Sequence, residues 1–160
     1  MKQCTDPPSE TNDYQLEQLR LLSDSLKRWS GCGLLDDDSD PAVAARRVYF
    51  APYALLSHGT GEDPVINYAN HTAQQLFEMD WHEFTQLPSR LSAEAGVQAE
   101  RNALLKRVTE NGYIDDYSGV RIASSGRRFR IQDATVWNLI DKGGNYRGQA
   151  AMFTLWHYLG

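Results

Sequence analysis

Four histidines, His58, His71, His82 and His157, are the first residues to weigh for chemistry, because imidazole serves both as metal ligand and as general base. No two of them stand at the H-x-x-x-H or H-E-x-x-H spacing that puts two rings on one helix face, so no helical zinc site is spelled out. Cys4 and Cys32 are the only cysteines, and neither has a Cys or His at ligand spacing. They read as incidental thiols of a reducing compartment. Asp36, Asp37, Asp38 and Asp40 form an acidic run without the glycine and closing glutamate of an EF-hand loop, and so read as a solvated loop. Ser57-His58, and Ser118 beside Asp115 and Asp116, contain the residue types of a hydrolase, but no G-x-S-x-G elbow surrounds either serine. Gly143-Gly144 precedes an expected strand, whereas a phosphate loop opens a helix. No catalytic residue and no metal ligand is assigned on these grounds.

The arginines are a better lead. Arg90, Arg101, Arg121, Arg127, Arg128 and Arg130 are numerous in the second half of the chain, and a guanidinium fork matches carboxylate and phosphate. If Arg121 and Arg128 meet across a hairpin they make an anion site. The competing reading is pairing inside the chain with Glu94, Asp115, Asp116 or Asp133. Convergence of His58, Arg121 and Asp133 in a cavity would instead mark a small enzyme.

What positions these residues is read from periodicity. Residues 1–12 are polar, carry Pro7 and Pro8, and read as a disordered tail. Over 13–29, Leu16, Leu19, Leu22, Leu26 and Trp29 recur every three or four residues and predict a helix with one apolar stripe, capped by Asn12 or Asp13 and ended by Gly31 and Gly33. Leu19, Leu22, Leu26 and Trp29 have two readings, packing on the domain's own sheet or forming a dimer interface. Asp40-Pro41 opens a short helix over 42–50. Strands are predicted at 53–58 and 65–69, joined by a turn holding Gly59, Gly61, Asp63 and Pro64. Asn70 caps a helix over 72–79, a short turn begins at Trp81, and a long helix runs over 92–110 until Asn111-Gly112.

The last third predicts strands over 113–123, 127–140 and 146–159, joined by tight turns into an antiparallel meander. Phe129 and Ile131 alternate with Arg128, Arg130 and Gln132, giving one dry and one wet face. The last strand is apolar on both faces and belongs near the sheet's centre, with the first helix as its second cover. The sum is an α+β fold, a five-stranded antiparallel sheet with helices inserted between strands 2 and 3. An N-terminal helical extension over 13–50 precedes a main domain over 51–160.

This order resembles that of PAS domains, and Asp63-Pro64-Val65-Ile66-Asn67-Tyr68-Ala69-Asn70 is similar to their second strand with its capping asparagine. More specifically, the chain resembles the MEKHLA-domain family, which is PAS-related. The resemblance rests on residues 87–94 (LPSRLSAE), 116–122 (DYSGVRI), 126–129 (GRRF), 136–139 (VWNL) and 148–151 (GQAA), and runs from about Ala42 to the end. The string that names the family is absent, as is the homeodomain–zipper portion that plant members attach to the module, so DNA binding is not implied. The resemblance implies a sensory or regulatory fold that binds small ligands, dimerises and passes a signal to partners.

In such a fold the ligand lies between helices and sheet, where Phe77, Trp81, Phe84, Tyr117, Arg121, Phe129, Ile131, Gln149 and Phe153 are the expected lining. Haem-binding relatives carry an axial histidine on or near the long helix, and 92–110 contains none. Photoreceptor relatives attach their pigment through a cysteine in the domain core, whereas both cysteines here precede it. Haem and covalent chromophores are therefore not expected, while noncovalent flavin stays open, with Gln149 as its amide partner. The expected function is a non-catalytic sensory module for a small molecule or a regulatory protein, with a homodimer as an option. A structural dimerisation module with a filled core is the alternative.

Composition sets the outer bounds. A chain of 160 residues is long enough for one core without disulfides, and a net charge of -5 does not favour phosphate backbones or anionic lipid. No apolar run reaches the roughly 18 residues of a membrane span, and the first residues lack the apolar segment of a signal peptide. The expected location is the cytoplasm, with neither nucleic acid nor membrane as partner.

Overall fold

The computed structural model describes residues 6–35, 38–92 and 98–160, with side chains from 102 onward in the last span. Its first long helix, α1 (Leu16–Ser30), starts later than the periodicity predicts. Asp13, Tyr14 and Gln15 sit at left-handed φ values of 52°, 55° and 59°, which a right-handed helix cannot incorporate. The chain enters through a 3-10 turn at Glu10–Asn12, where Asn12 Oδ1 accepts from the backbone N–H of Ser9 at 3.0 Å and of Gln15 at 3.1 Å. Residues 6–12 thus carry a hydrogen-bonded turn, with Pro8 buried, where a tail is expected.

Helix α2 (Pro41–Tyr49) begins as its sequence dictates, the Asp40 carboxylate accepting from Ala42 N at 2.9 Å. Strands β1 (Ala54–His58) and β2 (Ile66–Ala69) follow, then α3 (His71–Phe77), α4 (Trp81–Phe84) and α5 (Gln98–Asn111). A 3-10 turn at Ser89–Ser92 precedes α5. The remaining strands are β3 (Tyr113–Ile122), β4 (Arg128–Ile140), β5 (Tyr146–Phe153) and β6 (Leu155–Tyr158). The predicted start of the long helix falls partly on 93–97, outside the described residues.

The sheet runs β2-β1-β5-β4-β3, antiparallel throughout, with β6 also paired to β4. One strand expected over 146–159 is therefore two, and the sheet has six strands where five are expected. The cause lies in β4. Its pairing with β3 steps from Gly119↔Ile131 to Tyr117↔Ala134, so β4 holds one extra residue, and Asp133 absorbs it at a left-handed φ of 52°. The bulge shifts the alternation by one. Phe129 and Ile131 before it, and Ala134 and Val136 after it, all join the same core cluster.

Two cores result, one on each face. On the first face, Ala73, Leu76 and Phe77 of α3, Phe84 of α4 and Leu104 and Val108 of α5 pack on Ile114, Tyr117, Phe129, Ile131, Val136 and Phe153. On the opposite face, α1 and α2 cover Leu55, Tyr68, Trp137, Leu139 and Ala150. The α1 stripe follows the own-sheet reading, for Leu19 and Leu22 are wholly buried and Leu26 nearly so. Polar bonds fix its register: Trp137 Nε1 donates to Leu22 O at 3.0 Å, and Trp29 Nε1 to Asn138 O at 2.9 Å. Ser25 Oγ accepts from Ile140 N at 2.9 Å and donates to Ile140 O at 3.2 Å.

Asn70 ties these parts together. Its Oδ1 accepts from Ala73 N, as a helix cap does, and from Leu55 N, both at 3.1 Å. Its Nδ2 donates to Val48 O at 3.0 Å and Tyr53 O at 2.9 Å, so one fully buried amide joins the end of α2, β1 and α3. Among the described residues, no helix is long and apolar enough to cross a membrane.

Candidate functional site

Between the sheet and α5 lies a cavity of about 80 Å³. Its walls are largely apolar, with Leu56, Ile66, Phe77, Leu104, Ile131, Val136 and Phe153 among them, and its polar groups come from His58, Ser89, Ser92, Arg121 and Gln149. Of the nine residues expected to line a pocket, Phe77, Tyr117, Arg121, Ile131, Gln149 and Phe153 do so. Phe84 and Phe129 instead fill the core beside Phe77, with ring centroids 5.2 and 5.1 Å from it. Trp81 faces the other core, edge-on to Tyr68 at 5.9 Å. The three corrections share a reason. Aromatic rings that close on one another leave no void, and periodicity does not tell a packed ring from a wall.

β3 supplies the cationic part. Tyr117, Gly119 and Arg121 occupy alternate positions and so share one face. A Cβ at Gly119 would collide with the Tyr117 hydroxyl, so only glycine lets that ring lie back along the strand. The Arg121 guanidinium then sits over the ring, 5.4 Å from its centroid, and Nη1 donates to Val120 O at 3.0 Å. Arg121 and Arg128 do not meet, because Arg121 lies opposite Phe129 and Arg128 opposite Ile122, which places the two arginines on different faces. Of the expected internal partners, Asp116 pairs with Arg107 at 2.8 Å, and Asp115 on β3 and Asp133 on the bulge are exposed. Glu94 lies outside the described residues. Among those described, no carboxylate pairs with Arg121.

β5 supplies the amide. Asn138 Nδ2 donates to Val108 O at 3.3 Å, which turns Asn138 Oδ1 toward Gln149, whose Nε2 donates to it at 3.1 Å. That chain of bonds leaves Gln149 Oε1 with no donor among the described residues. Gly148 makes the placement work. Its φ is 128°, and a Cβ there would strike the His58 carbonyl, so glycine is what lets the end of β1 approach β5. His58 Nδ1 lies 2.8 Å from Gly59 O. Ser57 turns to the other face, its hydroxyl donating to Asn67 Oδ1 at 2.6 Å and Gln18 of α1 reaching it at 3.4 Å. His58 and Arg121 both reach the cavity but Asp133 does not, so the residues of the enzyme alternative are not assembled.

Sequence reasoning passed over Ser89, Ser92 and the apolar wall from β1. The signal for the serines was present in the 87–94 block. Ile66 N donates to Leu87 O at 3.0 Å and Ser89 N to Pro64 O at 2.8 Å, so this block runs along β2 and hands its serines to the cavity.

The strand order and the inserted helices define a PAS-type fold, and solved structures agree. A PAS domain of a protein from Colwellia psychrerythraea is similar over 72% of this chain and 92% of that one, with a TM-score of 0.58 and 10% identity. The light-state dimer of the fungal blue-light photoreceptor Vivid is similar over 64% of this chain and 76% of that one, with a TM-score of 0.53 and 17% identity. An RNA-binding light-oxygen-voltage receptor is similar over 76% of this chain, with a TM-score of 0.61 and 20% identity, and this chain spans 34% of its length. At such identities the likeness carries the fold alone. A comparison with curated proteins found no match. The chain belongs to the MEKHLA domain family, whose model matches residues 16–158 and so takes in α1 together with the sheet it covers.

Flavin, the cofactor left open by the sequence, does not fit this site. A cavity of about 80 Å³ is well below the roughly 300 Å³ at which sites for drug-sized ligands begin, and a tricyclic ring system needs more room. Cys32 is exposed beyond α1, and Cys4 lies outside the described residues.

Proposed function

We propose that this chain is a sensory binding module that takes a small molecule into the cavity between α5 and the sheet and signals its occupancy through a protein partner, without catalysis of its own. The observation carrying this reading is that four of the five sequence blocks resembling the MEKHLA family converge on that one cavity. Ser89 and Ser92 come from 87–94, Tyr117 and Arg121 from 116–122, Val136 from 136–139, and Gln149 and Ala151 from 148–151. Blocks far apart in sequence that share one void are better explained by a common ligand than by packing, because a filled core needs no polar lining.

The second reading, a filled-core interaction module, draws on the cavity's small size. Native mass spectrometry of freshly purified protein, with its absorbance spectrum, separates the two. A bound small mass supports the binding module. Apoprotein that gains no thermal stability from any member of a small-molecule library supports the interaction module.

A further inference from the structure

The cavity's polar chemistry narrows the ligand class, on the reading that the cavity binds a small molecule. Arg121 is half-buried, held over Tyr117 by the room that Gly119 leaves, and paired with no carboxylate among the described residues. Elsewhere on the surface Arg90 pairs with Asp63 at 3.0 Å, Arg107 with Asp116 at 2.8 Å and Arg147 with Asp141 at 3.4 Å, while Arg28, Arg46 and Arg127 lie over aromatic rings as Arg121 does; what sets Arg121 apart is that it borders the cavity. A guanidinium drawn against an apolar wall loses hydration, and its fork matches carboxylate or phosphate, of which the carboxylate is the smaller and suits a cavity of about 80 Å³. On β5, Gln149 Oε1 is an acceptor with no donor among the described residues, its orientation set by the Val108–Asn138–Gln149 chain of hydrogen bonds, and the His58 ring and the Ser89 and Ser92 hydroxyls complete the polar lining. Between them lie Ile131, Val136, Phe153 and Leu104, which accept carbon.

We propose that the cavity takes a short-chain organic carboxylate. Its head is gripped by Arg121 over Tyr117 and its carbons lie against the apolar wall. A hydroxyl on the chain, where present, donates to Gln149 Oε1. Volume sets the length. At roughly 30 Å³ per water-sized group, about 80 Å³ holds about three non-hydrogen groups, the carbon tail of a four-carbon acid, with the carboxylate head toward the half-exposed arginine.

The test compares butyrate with butyramide, its neutral analogue of the same shape, by calorimetry or NMR titration of the full chain. Butyrate is expected to bind about tenfold or more tightly than butyramide, and 3-hydroxybutyrate more tightly than butyrate. Arg121→Gln should bring butyrate down to the level of butyramide while the melting temperature stays near that of the parent. Equal affinity for butyrate and butyramide in the parent overturns the carboxylate inference and leaves the cavity reading standing, and the comparison needs no variant to fold. Inorganic phosphate binding as tightly as butyrate also overturns it, since the site would then respond to charge alone. If neither organic probe binds, the carboxylate inference fails, and the native mass spectrum separately decides whether the cavity holds a small molecule of another class.

Discussion

On β5, Ala150 lies opposite Trp137 beneath α1, and its neighbour Ala151 lies opposite Val136 beside the cavity. The two alanines are consecutive and identical, yet their methyl groups pack into different cores. The α1 face is filled by Leu19, Leu22, Leu26, Trp137 and Leu139 and fixed by indole and hydroxyl hydrogen bonds to backbone. The α5 face leaves a void with an arginine and an amide oxygen at its edges. One side of the sheet is therefore structural, and the other has room for an occupant.

The contrast is broken most directly at Leu22. Leu22→Asp puts a carboxylate into a position with no exposed surface and should lower stability by about 4 kcal/mol, read by urea denaturation. A variant as stable as its parent would mean that α1 does not lie on the sheet in solution, and size-exclusion chromatography would then show whether the stripe holds a second copy instead.

The paired alanines sharpen the comparison. Ala150→Leu overpacks the filled face against Trp137 and should cost about 1–3 kcal/mol. Ala151→Leu extends into the void and should change stability by less than about 1 kcal/mol while abolishing ligand binding. Equal costs at the two positions, measured by thermal and urea unfolding, would show that both faces are equally full. Gly119→Ala should have a smaller effect on folding, about 1 kcal/mol. Its methyl group displaces the Tyr117 ring and with it the support of Arg121, so affinity for anionic ligands should fall by more than stability does.

The sequence spelled out the filled face more completely than the open one. Leucines at three- and four-residue intervals predicted α1, and the doubly apolar β5 predicted that something must cover its second side. Both are statements about continuous patterns. The bulge at Asp133 escaped because its sign is a change of phase, from Phe129 and Ile131 to Ala134 and Val136, and one extra residue in a strand of 13 is visible only once neighbouring strands are paired. Trp81, Phe84 and Phe129 were misplaced for a related reason: each is aromatic and buried, and only three-dimensional packing decides which aromatics touch one another and which border a gap. Arg121 was singled out, but its face was not, since that depends on the register between β3 and β4.

Tyr68 offers the finest test of how dry the α1 face is. Its side chain is fully buried edge-on to Trp81, and its hydroxyl has no hydrogen-bond partner among the described residues. Burial raises its pKa well above the usual 10.0, reinforced by the neighbouring Tyr53 and Tyr49. In the unfolded chain the phenol ionises near 10, so its contribution is fully present below that pH and is lost as pH climbs from there toward the folded-state value. Tyr68→Phe removes both the unpaired hydroxyl and this alkaline loss. At neutral pH the variant should match or exceed the parent by about 1 kcal/mol, because an unmade buried hydrogen bond is costly and phenylalanine keeps the ring. Above pH 10 the gap should widen until pH passes the folded-state value of Tyr68, while Tyr49, Tyr53 and Tyr146, also raised by burial, titrate in both proteins and so drop out of the difference. Urea midpoints measured across neutral and alkaline pH give the answer. A variant clearly less stable than its parent at neutral pH would mean that the hydroxyl has a partner, a trapped water or a polar group brought in by motion of α1, and that the filled face is wetter than its packing indicates.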